Sequence, residues 1–349
     1  MTVARPPSGK GRERMERGAS ARMHGKPPGI LETFADAFSA LLVNPLPIVL
    51  PILVDAYLAL GPRVSPAALT APLAAWIDAQ TRLAGPDFAS LGVAPADYAA
   101  QISGLGQHAD LVAAIGWIVP SLLAGVDRVG LAGAGDRATL TPGGAGVVIA
   151  LWAAFILIGI ALVMLYRVLL ARASRGDPLL DAALPGAALR ATGRYLAFLA
   201  LLVGAALVLG IPAGVLLGVV SLVSADLASL VGLLIVSAII IVSIMIAFVA
   251  EAIALAEAGP LEAIRISRGV VRQNTWPALG LIFLSWLALF VLPDILGRFT
   301  QSGLGLALAV AVYAFAATGV ALARMQFLRD RLPQSRVPAP AVAAAEGRR

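Results

Sequence analysis

The sequence predicts an all-α integral membrane protein with six transmembrane helices, and three observations support this fold class. The chain is 59% hydrophobic and only 13% charged, whereas a soluble domain is roughly half apolar and a quarter charged. Long apolar runs recur between polar or Pro-containing segments. The basic residues cluster at the ends of these runs, as in membrane proteins. The chain also lacks Cys, which excludes disulfides, thiolate nucleophiles and cysteine metal sites.

Both ends of the chain are predicted to be disordered cytoplasmic tails. Residues 1–28 are basic and rich in Gly, Pro and Ser, and residues 329–349 are rich in Pro, Ala and Arg. No apolar run of signal-peptide length follows the first tail directly, so we expect no cleaved leader. We interpret this tail as fixing orientation, with binding of anionic lipid head groups as the alternative. The membrane domain is predicted over 29–328.

The membrane domain opens with an amphipathic helix, predicted over Ile30–Val43. Its apolar residues recur at helical spacing on one face, and its acidic residues fall on the other. Asn44 and Pro45 end it, because Pro restricts the residue before it and has no backbone N–H. The first span, Leu46–Leu60, follows and is short for a hydrocarbon core of about 30 Å.

Residues 61–143 are predicted to form a long extracytoplasmic connection. It contains two amphipathic stretches, Ala67–Leu83 and Pro95–Ile102, and an apolar run at Leu111–Val126. That run is shorter than the roughly 20 residues of a usual span. If it crossed, the arginines after the next span would lie outside, against the positive-inside rule. We therefore predict an interfacial or re-entrant segment, although the sequence alone leaves a seventh span open.

Five further spans are predicted from long apolar runs. One of them carries Gly210, Gly214 and Gly218, and small residues four apart let helices approach closely. Another begins at Trp276, in keeping with the aromatic residues that mark membrane interfaces. The five predicted spans are Val147–Leu170, Tyr195–Val223, Leu227–Ala250, Trp276–Leu292 and Leu304–Met325.

Three of the six spans are each preceded by a short amphipathic segment, which we call an elbow. The first elbow is Ile30–Val43, the second covers residues 176–192, and the third lies within Glu251–Pro277. The first and third align without gaps, so that Asn44 matches Asn274. We therefore expect three units, each an elbow followed by a helical hairpin. Such repeats can mark transporters, with sites at the repeat interface, but they also occur without transport.

The basic residues predict the orientation of the chain. All but five of the 26 Lys and Arg residues fall on one side, although the longest loop lies on the other. By the positive-inside rule, both termini are then cytoplasmic, and the cell membrane is the predicted location. The five residues assigned to the outer side are Arg63, Arg82, Arg128, Arg137 and Arg298.

The third elbow carries a short pattern of residues: Glu257, Gly259, Pro260, Glu262, Ala263, Ser267, Asn274 and Trp276. This pattern resembles the loop of a known family of membrane domains, which is attached to some glycerophosphodiester phosphodiesterases and has stand-alone relatives of unknown function. The resemblance covers most of residues 30–330. It implies a membrane domain without hydrolase activity, because the phosphodiesterase barrel uses carboxylates, His and metal, and this chain has only two His, at 24 and 108.

Two acidic residues stand out as candidates for intramembrane function. Asp55 lies in the middle of the first span, where an ionisable group is a functional hypothesis by default. The equally weighted alternative is a carboxyl bonded to a neighbouring helix, or one on a shortened span near the outer interface. Glu251 lies near the inner end of the fourth span, and we predict that it pairs structurally with Arg265 or Arg268 of the nearby elbow.

The third elbow also offers a basic face. Arg265, Arg268 and Arg272 recur at spacings of three and four, so they share one side of a helix. Contact with lipid phosphates is one interpretation, and ordinary positive-inside anchoring is the favoured one. Six residues are predicted to form the hinges between elbows and spans: Asn44, Pro45, Gly259, Pro260, Asn274 and Trp276.

The leading functional hypothesis is a non-catalytic, structural or assembly-type membrane component. The sequence contains no recognisable set of nucleophile, base and metal ligands, and we predict no cofactor, no metal and no nucleic-acid partner. The expected partners are the lipid bilayer, anionic head groups, and a membrane-protein partner or second copy. The alternative is a transporter or permease-like carrier of a small or lipid-like substrate. A membrane-embedded enzyme acting on lipids is a third hypothesis.

Overall fold

The structure of the protein, a computed structural model, describes residues 27–84, 95–124 and 137–332. The described chain is almost entirely helical. Its elements are α1 (Ile30–Val43), α2 (Leu46–Leu60), β1 (Arg63–Val64), α3 (Ala67–Ala84), α4 (Pro95–His108), α5 (Ala113–Ile118), β2 (Thr139–Leu140), α6 (Ala145–Arg175), α7 (Leu184–Val223), α8 (Ala225–Met245), α9 (Val249–Leu255), α10 (Pro260–Gln273), α11 (Thr275–Gly297) and α12 (Gly303–Arg329).

Five helices are long and apolar enough to cross a membrane: α6, α7, α8 continued by α9, α11 and α12. The pair α1 and α2 passes the same test together but is bent by 82°, so the number is six if the pair counts as one span. These lengths confirm a predominantly helical protein with five or six candidate spans. The 15 residues of α2 do not reach across the membrane without α1.

The centre of the bundle is α12. Its most apolar 18-residue window is 56% buried, whereas the corresponding window of α7 is 6% buried. Helices α1, α2, α6, α9 and α11 all pack against α12. By contrast, α8 has no buried residue, and α7 buries none beyond Phe198. The α7–α8 hairpin therefore extends away from the core and presents apolar side chains all round, as a helix solvated by lipid does.

The predicted second elbow is wrong, and the predicted fourth span contains a break that the sequence did not indicate. The second elbow, residues 176–192, is not a separate helix, because α7 runs without a break from Leu184 to Val223. The segment 184–195 contains no Asn-Pro pair like Asn44-Pro45, so no residue there ends the helix. The fourth span, predicted to be continuous over Leu227–Ala250, is interrupted after Met245 and resumes as α9.

The predicted outer connection contains a short contact that the sequence did not indicate. Strands β1 and β2 pair in parallel, two residues each. Asp110 reinforces this contact, because its carboxylate accepts the N–H of Val64 at 3.1 Å and lies 3.4 Å from Arg137 Nη2. Helices α3 and α4 pack against each other beside it. Helix α5 is only six residues long, which agrees with an apolar run that does not span, although residues 125 and 126 lie outside the described ranges. Most of both predicted tails also lies outside them.

Candidate functional site

A set of buried charges lies where α6 and α12 end and where α9 and α10 pack together, and we call this region the arginine end. At its centre is Glu251 of α9, which is 1% exposed. Its Oε1 lies 2.7 Å from Arg167 Nη1 of α6 and 2.8 Å from Arg324 Nε of α12. A buried carboxylate is tolerated only when it is paired, so these contacts tie three helices together. The predicted partners, Arg265 and Arg268, are wrong: they lie on the exposed side of α10.

The break between α8 and α9 lies directly beside this carboxylate. Interrupting a helix leaves backbone groups without partners, and such groups are costly inside a membrane. Ser267 of α10 satisfies two of them. Its hydroxyl donates to the carbonyl of Met245 at 2.7 Å and accepts the N–H of Phe248 at 3.1 Å. The third elbow therefore stabilises the interrupted span, and this explains why Ser267 is fully buried.

Three arginines donate to backbone carbonyls at the ends of α8 and α9. The last carbonyls of a helix have no partner within it and carry the negative end of its dipole, so a cation there is favourable. These arginines therefore link the ends of neighbouring helices, in addition to any effect on the orientation of the chain in the membrane. The pairs are Arg324 with Ala247, Arg175 with Leu255 and Arg194 with Glu257.

Asp55 of α2 is fully buried. Its carboxylate accepts hydrogen bonds from one turn, which follows α5. The donors are Ser121 Oγ at 2.5 Å, the Leu122 N–H at 3.0 Å and the Leu123 N–H at 3.1 Å. Three donors from consecutive residues are the pattern of a structural cap. This geometry favours the structural alternative for Asp55.

The basic face of the third elbow is exposed. Arg265, Arg268 and Arg272 all point away from the bundle, while the apolar side of α10 is buried. In the part of the chain that the structure describes, none of the three forms a salt bridge or a hydrogen bond through its side chain. They are therefore free to face solvent or lipid head groups.

The predicted hinge residues lie at helix ends. Gly259 precedes α10 and Pro260 is its first residue, while Asn274 ends it. The side chain of Asn274 donates to the Val270 carbonyl at 3.2 Å, and its own carbonyl accepts the Ala278 N–H at 2.8 Å, so Asn274 both ends α10 and begins α11. Trp276 is 83% exposed at the start of α11. Asn44 ends α1 through its own N–H, and Pro45 precedes α2.

An apolar cleft of about 530 Å³ lies between α2, α5 and α6. It follows α2 from Leu46 to Leu58, a length of about 18 Å at 1.5 Å per residue. Its walls are almost all Leu, Ile, Val and Phe side chains. A concave, apolar surface of this shape suits an alkyl chain, since it offers burial without directed polar contacts.

A second concavity, which we call the arginine pocket, lies between α6, α7 and the end of α9. It is small, about 40 Å³, and four arginines line it: Arg172, Arg175, Arg190 and Arg194. Arg172 donates to Asp181 at 2.7 Å. That hydrogen bond holds the pKa of the Asp181 carboxyl below its ordinary value.

The functional residues that sequence reasoning missed are the partners of Glu251. Arg167 and Arg324 each follow a long apolar run, so they read as orientation signals. Nothing in their spacing indicates that α6 and α12 meet at α9. Within the described ranges, His, Asp and Glu residues do not gather into any group of three that could hold a metal ion.

No family model matches the chain, and comparisons with curated proteins and with solved structures found no match.

Proposed function

We propose that the protein is a non-catalytic, structural or assembly-type component of the cell membrane. The observation that carries this proposal is that both buried carboxylates, Glu251 and Asp55, are bonded to structural partners. Glu251 joins three helices through Arg167 and Arg324, and Asp55 caps a turn. An acid that acts on a substrate needs access to it, whereas both of these acids are enclosed by structural partners.

The proposed arrangement keeps the six spans and the cytoplasmic termini predicted from the sequence. In it, α1 and α10 lie as elbows at the cytoplasmic interface. Their equivalence is supported by their bounds, since each is 14 residues long, follows a Gly and ends at an Asn. The same equivalence is compatible with the resemblance of the third elbow to the phosphodiesterase-associated membrane domain.

A structural role predicts a stable complex in the native membrane. The test is to purify the tagged full-length chain from its own membranes in mild detergent and to determine its mass. Because the chain has no Cys, a single Cys at Val208, an exposed position of α7, also reports disulfide cross-links to another helix. A matched Cys at Leu140, outside the spans, is the control. A monomer that co-purifies with no other protein would contradict the proposal.

The second candidate is a carrier of a lipid-like substrate, and the apolar cleft favours it. If a lipid crosses the membrane through the apolar cleft, a bulky residue inside the cleft should block its transfer. Ile158→Trp fills the cleft from α6, and Ile149→Trp adds the same bulk at an exposed position of α6 outside it. Movement of a fluorescent lipid between leaflets of proteoliposomes should then fall with the first variant alone. Equal rates in both variants and in protein-free vesicles would exclude this function.

A further inference from the structure

The four guanidinium groups of the arginine pocket are arranged in two layers. Arg172 and Arg175 form its floor, with side chains 9% and 11% exposed, and each is paired with a carboxylate from the loop between α6 and α7. Arg190 and Arg194 lie at its mouth, the first exposed and the second half-buried. They are four residues apart on α7 and therefore on one face. The floor is paired with its own carboxylates. Glu257 also lines the pocket, but neither arginine at the mouth forms a salt bridge with it in the described chain.

The two arginines at the mouth have hydrogen-bonding capacity to spare. In the described part of the chain, the Arg190 side chain forms neither a salt bridge nor a hydrogen bond. Arg194 donates to the backbone carbonyl of Glu257 and forms no ion pair there. A guanidinium carries five donors in a planar fork, so most donors at the mouth are available to an acceptor that enters the pocket.

The backbone on the opposite wall is held in an uncommon conformation. Glu257 has φ of +50°, in the left-handed region that disfavours residues with a Cβ. This conformation coincides with the hydrogen bond that its carbonyl accepts from Arg194. The wall of the pocket is therefore fixed by the same arginine that faces its opening.

We infer that the arginine pocket binds a phosphate group, held by Arg190 and Arg194. Paired guanidinium forks match the geometry of phosphate oxygens. A volume of about 40 Å³ holds roughly three waters, which a phosphate group displaces on binding. The site is distinct from the basic face of α10, whose arginines lie on the exposed side of another helix. It depends on neither of the proposed functions.

The phosphate can belong to a lipid head group or to a soluble anion, because both present the same oxygens. The proposed orientation places the pocket at the inner membrane surface, where anionic head groups are found. The test must therefore separate the phosphate group from the acyl chains.

The experiment measures lipid binding to the purified full-length protein in detergent by native mass spectrometry. Phosphatidic acid is compared with diacylglycerol, which has the same chains without the phosphate. Arg190→Gln should weaken phosphatidic acid binding about fivefold, and Arg190→Gln with Arg194→Gln about thirtyfold, at roughly 1 kcal/mol for each arginine. Arg190→Lys should retain part of the affinity. Diacylglycerol binding should be unchanged in every variant.

The matched control removes the same charge from the same end of the protein. Arg268→Gln with Arg272→Gln deletes two exposed arginines, also four apart, from α10, and it should leave the affinity unchanged. An equal loss in this control would overturn the inference, because diffuse surface charge would then explain the binding. Unaltered binding in a correctly eluting Arg190→Gln, Arg194→Gln protein would overturn it too.

A competition with inorganic phosphate distinguishes the two sources of the ligand. Displacement of phosphatidic acid by millimolar phosphate would support a site that recognises the phosphate group alone, open to soluble anions. Failure to displace it, with binding that still depends on Arg190, would support a lipid head group whose chains add affinity.

Discussion

At the residue scale, the arginines of this protein are hydrogen-bond donors as much as charges. Arg175, Arg194 and Arg324 each reach a backbone carbonyl at a helix end. Two aromatic contacts add to this: Arg324 lies 5.4 Å from the centre of the Phe248 ring, and Arg331 lies 3.6 Å from that of Phe327. The arginines at this end of the bundle therefore stabilise the fold wherever a helix ends within reach.

Glu251→Gln should destabilise the protein strongly. The substitution leaves the half-buried Arg167 and Arg324 without the counter-charge of a buried carboxylate. Breaking a fully buried ion pair costs about 3–5 kcal/mol, and the partial exposure of both arginines places the expected loss toward the lower end of that range. The measurement is thermal unfolding of the purified protein in detergent, monitored as the loss of the monodisperse peak in size-exclusion chromatography. Glu262→Gln, which removes an exposed carboxylate from α10, is the control and should unfold near the wild-type temperature. A Glu251→Gln protein as stable as this control would contradict the structural role of the carboxylate.

The Arg172–Asp181 pair should make stability sensitive to acid. Its hydrogen bond lowers the pKa of Asp181 from the ordinary 3.8. Because the pKa of Asp181 is lower in the folded state than in the unfolded state, the pair stabilises the folded protein at pH values above the pKa of the unfolded state. This contribution is lost as the pH falls through the pKa of the folded state. Wild type should therefore lose unfolding temperature more steeply below about pH 4 than Asp181→Asn does.

The acid effect should be modest, because the Asp181 side chain is 38% exposed and exposed pairs are screened by solvent. Asp226→Asn, at an exposed aspartate without a salt bridge in the described chain, should keep the wild-type pH profile. If Asp181→Asn keeps that profile as well, the pair contributes nothing to stability.

At the element scale, the close approach of α1 to α12 depends on one glycine. A Cβ at Gly319 would lie 2.2 Å from the ring of Phe38, well inside contact distance. That ring also packs against Phe315, with 5.4 Å between ring centres. The first elbow thus packs against the central helix through the Phe38 ring, which occupies the space left by the missing side chain of Gly319.

Gly319→Ala should lower stability by about 1–3 kcal/mol through overpacking, partly offset by about 1 kcal/mol of improved helix propensity. Gly214→Ala is the matched control, since nothing lies within 4 Å of its added methyl, and it should be neutral or slightly stabilising. Thermal unfolding of both variants makes the comparison. Phe38→Leu should restore stability to Gly319→Ala if the clash is the cause, and a failure to rescue would point elsewhere.

At the scale of the whole molecule, the open question with the widest consequences is orientation. The arginine end and both termini are proposed to face the cytoplasm, and the β1–β2 contact is proposed to face outward. The absence of Cys makes the test direct, because each introduced Cys is the only thiol in the chain.

Single Cys residues at Ser20, Arg268 and Leu140 should label differently with a membrane-impermeant thiol reagent. In sealed cells only Leu140→Cys should react, since its position is exposed in the outer connection. After permeabilisation, Ser20→Cys and Arg268→Cys should react as well. Labelling of Arg268→Cys in sealed cells, without labelling of Ser20→Cys, would overturn the proposed topology and the location of the arginine pocket.

The sequence by itself determined the class of the protein and most of its helices. Apolar runs of span length predict helices because the favourable free energy of transfer into lipid is a sum over consecutive residues of the chain. The bounds of α1 and α2 follow from Asn44 and Pro45, whose effects on the backbone are local. The same reasoning predicted a separate second elbow, where α7 is continuous. It also missed the break after Met245 in the fourth span, whose free backbone groups are bonded by Ser267 of another helix.

Only the tertiary structure decided which polar groups meet. Glu251 and Arg324 are 73 positions apart, and Asp55 and Ser121 are 66 apart, so no local pattern connects them. Hydrophobicity does not specify partners, since one apolar face packs on another with little preference. Buried charges and interrupted backbones do specify them, because each leaves a group that only a particular donor or acceptor in the folded bundle can satisfy.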